Sequence, residues 1–224
     1  QPMDNVTKLD VRAEQMFYKV DESLGDYFAT MRQENLLDLP NRKGKGPGGY
    51  CTYFAQVKRP FIFMNAVGTA GDVRTMLHEA GHAFHSFEAS ALPYTQQRHP
   101  GAEFAEVASM AMELLAAPYM AAAEGGFYDD EREAARHRIA HLEIIILFWP
   151  YMAVVDGFQH WVYENMSDAA DPANCDAKWM ELWQRFIPNI DYSGFQEQLE
   201  TGWHRKLHIF RYPFYYVEYG MAQV

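Results

Sequence analysis

Cysteine is scarce in this chain, and so are clusters of positive charge. Two cysteines, Cys51 and Cys175, occur among the 224 residues, and they form no C-x-x-C pair. Two thiols are too few for a disulfide framework, so we expect a reducing compartment and a cytoplasmic location. Lysine and arginine total 19 against 30 aspartates and glutamates, which gives a net charge of −11 with histidine neutral. No basic cluster is long enough to follow a phosphate backbone, so we expect no nucleic-acid partner.

Long hydrophobic runs are also missing. The longest mainly apolar stretch, Ile144 to Val155, is well short of the roughly 20 residues that a membrane span needs, and Pro150 lies inside it. The chain starts with Gln1-Pro2-Met3 and shows no charged segment followed by an apolar one, as a signal peptide would. We therefore expect no membrane helix and no membrane partner. With 49% apolar and 15% aromatic residues, the composition is that of a soluble globular chain with one sizeable core.

Hydrophobic periodicity predicts a mainly helical chain with two short strands. Apolar residues recur at spacings of three and four over 7–38, where Gly25 is the one breaker, so this segment is interpreted as one or two helices. Two prolines and four glycines within 39–49 predict a loop. The runs from Tyr50 to Val57 and from Pro60 to Ala66 are rich in aromatic and branched residues, which predicts two antiparallel strands.

The period changes to a helical one after the second strand. The sequence Thr69-Ala70-Gly71-Asp72 is typical of a capped helix start, and the helix is predicted to close before Pro93. A turn-rich connector is predicted over 167–174. The other predicted helices cover about 102–123, about 130–166 with a kink at Pro150, about 177–186, and most of the chain from Phe195 onward.

Three of the nine histidines, His78, His82 and His85, fall within eight positions on the helix that starts after Thr69. The segment His78-Glu79-Ala80-Gly81-His82 matches the pattern H-E-x-x-H. Histidines four residues apart lie on one helix face, so both imidazoles can bind one metal ion. Glu79 is offset from that face, so it can remain unligated and accept a proton from water that the metal has activated.

Chance is a weak explanation for this motif, because a chain of this length and composition is expected to contain roughly 0.03 copies of it. The alternative interpretation is a pair of core histidines with a salt-bridging glutamate. Gly81 argues against that alternative, because glycine inside a helix costs roughly 1 kcal/mol relative to alanine and is tolerated where another backbone comes close. For His85 we expect a position in the core or a hydrogen bond to one of the metal-binding residues.

A catalytic zinc site needs a third protein ligand, and the next predicted helix offers three glutamates. Glu103, Glu106 and Glu113 share a face at spacings of three and seven, and spacing alone does not choose among them. Small residues at Ala108 and Ser109 would let this helix pack closely on the histidine helix, which favours Glu106. For Glu103 and Glu113, direct metal binding is not favoured. We expect each to be an ordinary helix carboxylate or to hydrogen-bond a metal-binding residue.

These residues lie in segments that resemble the thimet oligopeptidase and oligoendopeptidase F family of zinc peptidases. The likeness covers nearly the whole chain and is greatest to bacterial oligoendopeptidases of the Pz-peptidase type. The segments that carry it are GGYCTYF, PFIFMNAVGT, DVRTMLHEAGHAFH, FAEVASMAMELL and HRKLHIF with PFYYVEY. The resemblance implies one zinc ion bound by His78, His82 and Glu106, with Glu79 as the general base. It also implies a mainly α, zincin-like fold with a small antiparallel sheet beside the H-E-x-x-H helix.

The tail after His204 contains a further set of candidate residues. If Pro213 opens a helix, then Tyr212, Tyr215, Tyr216 and Tyr219 share one face, for which an aromatic core is the alternative interpretation. The family resemblance implies that a histidine and tyrosines of this tail hydrogen-bond the tetrahedral intermediate of peptide hydrolysis. By position these are His208, Tyr216 and Tyr219, with Tyr215 in reserve.

Members of this family are longer chains. The resemblance therefore implies a single catalytic domain that lacks an N-terminal helical region and C-terminal helices. The expected function is zinc-dependent endopeptidase action on short peptides, with the strand Pro60 to Ala66 pairing with the substrate backbone. The alternatives are a dipeptidyl carboxypeptidase and a non-catalytic remnant that binds metal or peptides.

Overall fold

The computed structural model describes residues 6–224, apart from the side chains of Thr7, Ala102 and Glu103. The chain forms two compact units, one reaching to His141 and the other covering Leu142–Val224. The expectation of a single catalytic domain stays a prediction. Helices predominate in both units, and the strands lie in the first. The predicted mainly α class is therefore confirmed.

The first unit begins with a 3-10 turn, Val6–Lys8, and two helices, α1 (Leu9–Val20) and α2 (Glu22–Gln33). The break between them is at Asp21, whose side chain accepts a hydrogen bond from the backbone N–H of Ser23 and so caps α2. Gly25, the expected breaker, lies inside α2. A Cβ on Gly25 would lie 2.1 Å from the Tyr18 ring, so the glycine serves close packing of the two helices.

The three strands are β1 (Leu37–Pro40), β2 (Tyr50–Phe54) and β3 (Arg59–Ala66), in the order β1-β3-β2. The predicted antiparallel pair β2 and β3 is present, and every second residue of β3 is buried. The expectation of a purely antiparallel sheet is wrong, because β1 pairs with β3 in parallel. Its four residues are too few to show a period of two, and it is an edge strand, where Pro40 is tolerated.

Helix α3 (Ala70–Ala89) contains the H-E-x-x-H segment and contacts β2, β3, α1 and α2. It starts as predicted, with a capping box in which Thr69 and Asp72 satisfy each other's backbone N–H groups. The apolar stripe Val73, Met76, Leu77, Ala80 and Phe84 is buried in the core of this unit.

The helix expected over 102–123 is broken into short pieces. After α4 (Thr95–Arg98) follow α5 (Ala102–Ala105), α6 (Val107–Leu115) and the 3-10 turns Ala117–Tyr119 and Ala122–Glu124. Glu106 is the junction between α5 and α6. Helix α6 packs against α3, which places this junction beside the histidines.

Helix α7 (Glu131–Glu164) continues through Pro150. By length and composition alone it could cross a membrane, and only 17% of its most apolar window is buried. The sequence did not indicate this, because isolated polar residues interrupt the apolar residues of α7 and leave no long continuous apolar run. A core helix of a soluble protein passes the same test, so the result is weak evidence for a membrane span.

The second unit contains α8 (Met166–Ala169), α9 (Pro172–Phe186), α10 (Gln196–Glu200), α11 (Leu207–Arg211) and α12 (Tyr216–Gln223), with a 3-10 turn at Gly202–Arg205. The expected connector is largely helical, because Asp171 caps α9 by accepting from the N–H of Ala173 and Pro172 occupies its first turn. Pro213 does not open the last helix, which starts three residues later, after Phe214 at φ 61°. The apolar residues buried in this core are Val154, Val155, Phe158, Cys175, Trp179, Leu182, Trp183, Leu199 and Tyr216.

Candidate active site

The two motif histidines lie one turn apart on the same face of α3. Their ring centroids are 5.0 Å apart, and both side chains are partly exposed. Glu79, between them in sequence, is buried, and its carboxylate lies near Gly49 and the backbone N–H of Cys51 at the start of β2. The helical spacing therefore separates the two imidazoles from the glutamate, as predicted.

Glu106 completes a group of three side chains with His78 and His82. Its Oε2 atom lies 3.2 Å from Nε2 of His78 and 3.4 Å from Nε2 of His82. The ligand atoms that the three residues offer all lie within 4.8 Å of one another. Glu106 is 3% exposed, and the Ser109 hydroxyl lies 2.9 Å from the same Oε2 atom. The structure thus brings together the three residues that the family resemblance implies as metal ligands.

Close packing of α6 against α3 allows this approach. A Cβ added to Gly81 would lie 2.5 Å from both the carbonyl oxygen of Ala108 and the Cα of Ser109. Any side chain at position 81 would therefore push the two backbones apart. The glycine inside the motif and the small residues after Glu106 serve the same close contact, as the sequence argument expected.

This group fits a zinc ion by its chemistry and by its spacing. Two imidazole nitrogens and one carboxylate oxygen are a known ligand set of catalytic zinc, and three protein ligands leave one position for water or substrate. Ligands about 2.0–2.1 Å from a tetrahedral ion lie about 3.3 Å from each other. The 3.2 Å and 3.4 Å distances from Glu106 to the two histidines match that separation.

Glu113 lies on the other side of the His78 ring. Its Oε1 atom is 2.8 Å from Nδ1 of His78, and its Oε2 atom is 2.8 Å from Nε2 of His141 on α7. Burial of Glu113 favours its neutral form, but the hydrogen bonds to His141 and His78 outweigh burial and lower the pKa of this carboxyl. Glu113 is therefore a charged hydrogen-bond partner of His78, one of the roles considered for it. The Glu103 side chain lies outside the described residues.

The surroundings of the motif raise the pKa of both a histidine and the glutamate. Burial opposes a charged His78, but Glu106 and Glu113 outweigh burial and raise the pKa of His78 to about 10. Burial also raises the pKa of Glu79, with Glu106 acting in the same direction and the two histidines opposing it. A carboxyl with a raised pKa is a better proton acceptor near neutral pH. His85 is half-buried, and burial lowers its pKa, with His82 and His99 acting in the same direction.

The candidate residues of the tail form one cluster in the second unit. Nε2 of His208 lies 3.3 Å from the hydroxyl of Tyr219, and the His208 ring also contacts Tyr215 and Tyr216. The hydroxyl of Tyr216 accepts a hydrogen bond of 2.9 Å from Nζ of Lys206. Tyr216 packs in the core of the unit, as the core interpretation of the aromatic stripe expects. Hydrogen bonding of these hydroxyls to a reaction intermediate stays a prediction.

Comparison with known proteins places the chain in a family. Residues 10–223 match Peptidase family M3. The chain belongs to this family. An oligoendopeptidase F homolog of Mycoplasma genitalium is 35% identical to this M3 chain over 113 residues, which are 48% of this chain and 18% of that protein. Oligopeptidase PepF of Bacillus subtilis is 32% identical over 107 residues, which are 43% of this chain and 15% of that protein.

A solved structure of Pz peptidase A with an inhibitor resembles this M3 chain over 99% of its length, with a TM-score of 0.90 and 36% sequence identity. The matched region is 38% of the Pz peptidase A chain, so this M3 chain spans well under half of that protein. The family resemblance and the helical fold that it implied are confirmed.

Sequence reasoning missed three polar residues around these sites of the M3 chain. Ser109 was noted only for its small size, and His141 and Lys206 were not singled out. His137 and His141 repeat the spacing of four, and Lys206 stands two residues before His208 in the HRKLHIF segment. Only the fold shows what they contact. Burial lowers the pKa of Lys206 to about 8, with Arg205 acting in the same direction.

Proposed function

We propose that this chain carries the catalytic site of a zinc-dependent endopeptidase that hydrolyses internal bonds of short peptides. The observation that supports this most directly is the grouping of His78, His82 and Glu106 within 4.8 Å, with the Glu79 carboxyl beside it. Membership of peptidase family M3 and the similarity to oligoendopeptidase F proteins support the peptidase chemistry. One zinc ion per chain would be held by Nε2 of each histidine and by the Glu106 carboxylate.

Zinc, when bound, supplies a Lewis acid that polarises the scissile carbonyl and lowers the pKa of the attacking water. Glu79 takes the proton of that water and passes it to the leaving amine, since its carboxyl is adjacent to the ligands and its pKa is raised. Glu106 and the two histidines would hold the ion in place. Glu113 keeps the His78 ring oriented through the hydrogen bond at Nδ1.

His208, Tyr216 and Tyr219 are proposed to donate hydrogen bonds to the oxyanion that forms during hydrolysis. The support for this is the family resemblance of the tail and the clustering of the three residues within the second unit. Lys206 would assist, because its ammonium donates to the Tyr216 hydroxyl oxygen and leaves the hydroxyl proton available for the oxyanion.

The middle of β3 is not open to the substrate backbone as expected from the sequence, because Ile62 and Phe63 pair with both β1 and β2. β3 is the central strand, with β1 on one side and β2 on the other. Where both neighbours pair with β3, its backbone groups are occupied by the sheet. Addition of an extended peptide therefore falls to an edge strand, and β2 is the edge whose residues lie next to Glu79.

A reducing compartment such as the cytoplasm is proposed for the chain. Cys51 and Cys175 are both free thiols in the structure. Neither needs oxidation for the fold, which agrees with a location where disulfides do not form.

The test combines metal analysis with peptide cleavage. The purified chain is expected to hold about one zinc ion and to cleave a quenched fluorescent peptide, to lose cleavage on chelation, and to regain it when zinc is added. Glu79→Gln is expected to abolish cleavage while zinc remains bound. Glu124→Gln, an exposed glutamate of the same unit, is the matched control and is expected to cleave normally.

Product analysis separates the alternatives. Fragments from internal bonds support an endopeptidase, whereas uniform release of C-terminal dipeptides supports a dipeptidyl carboxypeptidase. Zinc binding without cleavage of any peptide would support the non-catalytic remnant. Cleavage by Glu79→Gln at the wild-type rate would contradict the proposed role of Glu79.

A further inference from the structure

A chain of side-chain hydrogen bonds leads from helix α7 to the candidate metal ligand His78. Glu113 lies between the two ends, with Oε1 2.8 Å from Nδ1 of His78 and Oε2 2.8 Å from Nε2 of His141. Glu113 and His141 are each 8% exposed. Both hydrogen bonds are therefore shielded from solvent, where they are electrostatically stronger than in water.

The direction of these bonds follows from the chemistry at His78. Its Nε2 atom faces Glu106 and is the nitrogen available to a metal ion, so the ring proton must be on Nδ1, where it donates to Glu113. Glu113 accepts at that oxygen and accepts from His141 at the other. A carboxylate held at one oxygen can rotate about its side-chain bonds, whereas one held at both oxygens keeps a single orientation.

His141 is itself held in position from the same helix. One turn earlier on α7, Nδ1 of His137 lies 2.7 Å from the Tyr128 hydroxyl. Tyr128 is held in turn by the segment after α6. Its backbone N–H donates to the carbonyl oxygen of Met120, and it forms an isolated β-bridge with Ala121. These contacts fix the start of α7, and with it His141, against the first unit.

We infer that His141 is a positioning residue of the metal site: it fixes the Glu113 carboxylate, which in turn fixes the ring and the tautomer of His78. This rests on the proposed function, because it assumes that His78 binds the metal. It assigns a function to α7, a helix that contributes no member of the ligand group, and to a residue that lies 59 positions after His82 in the sequence.

The test uses cobalt(II) in place of zinc, because its visible spectrum reports the geometry of the ligands. His141→Leu removes the donor to Glu113, whereas His141→Gln can place an amide N–H near the position of Nε2. We expect His141→Leu to weaken metal binding about 10-fold to 100-fold and to change the cobalt spectrum. His141→Gln is expected to restore most of both. His160→Gln, at an exposed histidine of the same helix that lies beside Asp156, serves as the control and is expected to leave the spectrum unchanged.

A double-mutant cycle tests the route through Glu113. In a Glu113→Gln background, His141→Leu is expected to have little further effect on cobalt affinity. Unchanged cobalt affinity and spectrum in His141→Leu would overturn the inference, and so would equal losses in the Leu and Gln variants. Failure of the wild-type chain to bind cobalt at all would overturn the proposed metal site as well. Normal cobalt results without peptide cleavage would overturn only the peptidase proposal.

Discussion

Gly81 on α3 packs directly against the backbone of Ser109 on α6. A Cβ at position 81 would lie 2.5 Å from the Ser109 Cα, a distance that real Cβ atoms do not show. The absence of a side chain in the middle of the motif therefore sets how closely the two helices approach. Glu106, three residues before Ser109, reaches both motif histidines because of this approach.

Gly81→Ala is expected to destabilise the chain and to weaken metal binding. Helix propensity alone predicts a gain of about 1 kcal/mol. The added methyl group would meet the backbone of Ala108 and Ser109, which cannot move aside like the end of a side chain. Overpacking of this kind costs about 1–3 kcal/mol. Chemical denaturation measures the free energy of unfolding, and competition with a chelator measures the zinc affinity.

Gly71→Ala, in the first turn of the same helix, is the matched control. The nearest atom to a Cβ there is the Thr69 hydroxyl oxygen at 3.5 Å, which is an ordinary contact. We expect this variant to be as stable as the wild type or slightly more stable. If Gly81→Ala proved equally stable and bound zinc equally well, the argument from close packing would fail.

Ser109→Ala is expected to weaken zinc binding by about 10-fold. The Ser109 hydroxyl is fully buried and lies 2.9 Å from Oε2 of Glu106, so its loss leaves the carboxylate free to change orientation. Ser90→Ala is the matched control. Each serine hydroxyl donates a hydrogen bond to the carbonyl oxygen three residues earlier. For Ser90 that residue is Phe87, which is not one of the proposed metal-binding residues. Equal zinc affinity in the two variants would contradict a role for Ser109.

Features that depend on residues close together in the sequence could be predicted from it. The H-E-x-x-H motif, the Thr69 and Asp72 cap and the pairing of β2 with β3 depend on residues close in sequence, so local patterns predicted them. Strand β1 depends on its partner β3, and its four residues carry too little pattern of their own.

The surroundings of the metal site depend on contacts between distant segments. Spacing left three glutamates as possible ligands, and the packing of α6 against α3 is what brings Glu106 to the histidines. His141 had no signal in the sequence beyond its spacing of four residues from His137. Its contact with Glu113 exists only because the start of α7 packs on the same unit.

Folding stability is expected to fall as the pH drops from about 6.5 towards 4, in part because of His137. Burial lowers the pKa of His137 from 6.5 to about 4, with His141 and Arg74 acting in the same direction and Glu113 opposing. Because the folded-state pKa is the lower one, the unfolded chain binds the proton first. The contribution of His137 to the free energy of unfolding is therefore fully present above pH 6.5 and is lost as the pH falls through this window.

One proton can change the free energy of unfolding by at most about 1.4 kcal/mol per pH unit. Since His137 is only half-buried, we expect a total effect of about 1 kcal/mol after allowance for solvent screening. Urea denaturation of the wild type and of His137→Gln at pH 7 and pH 4.5 measures it. The loss of stability between the two pH values should be smaller in the variant. An equal loss would show that His137 does not contribute.

The thiol of Cys51 is expected to react very slowly in the folded chain. Burial raises the pKa of Cys51 to about 12, and the nearby Glu79 carboxylate acts in the same direction. Relative to a thiol of ordinary pKa, the reactive thiolate is then roughly 10³-fold less abundant near pH 8. A Cys175→Ser chain, in which Cys51 is the remaining cysteine, should label with a disulfide reagent far more slowly when folded than in urea. Similar rates in the two states would show that the folded chain does not raise this pKa.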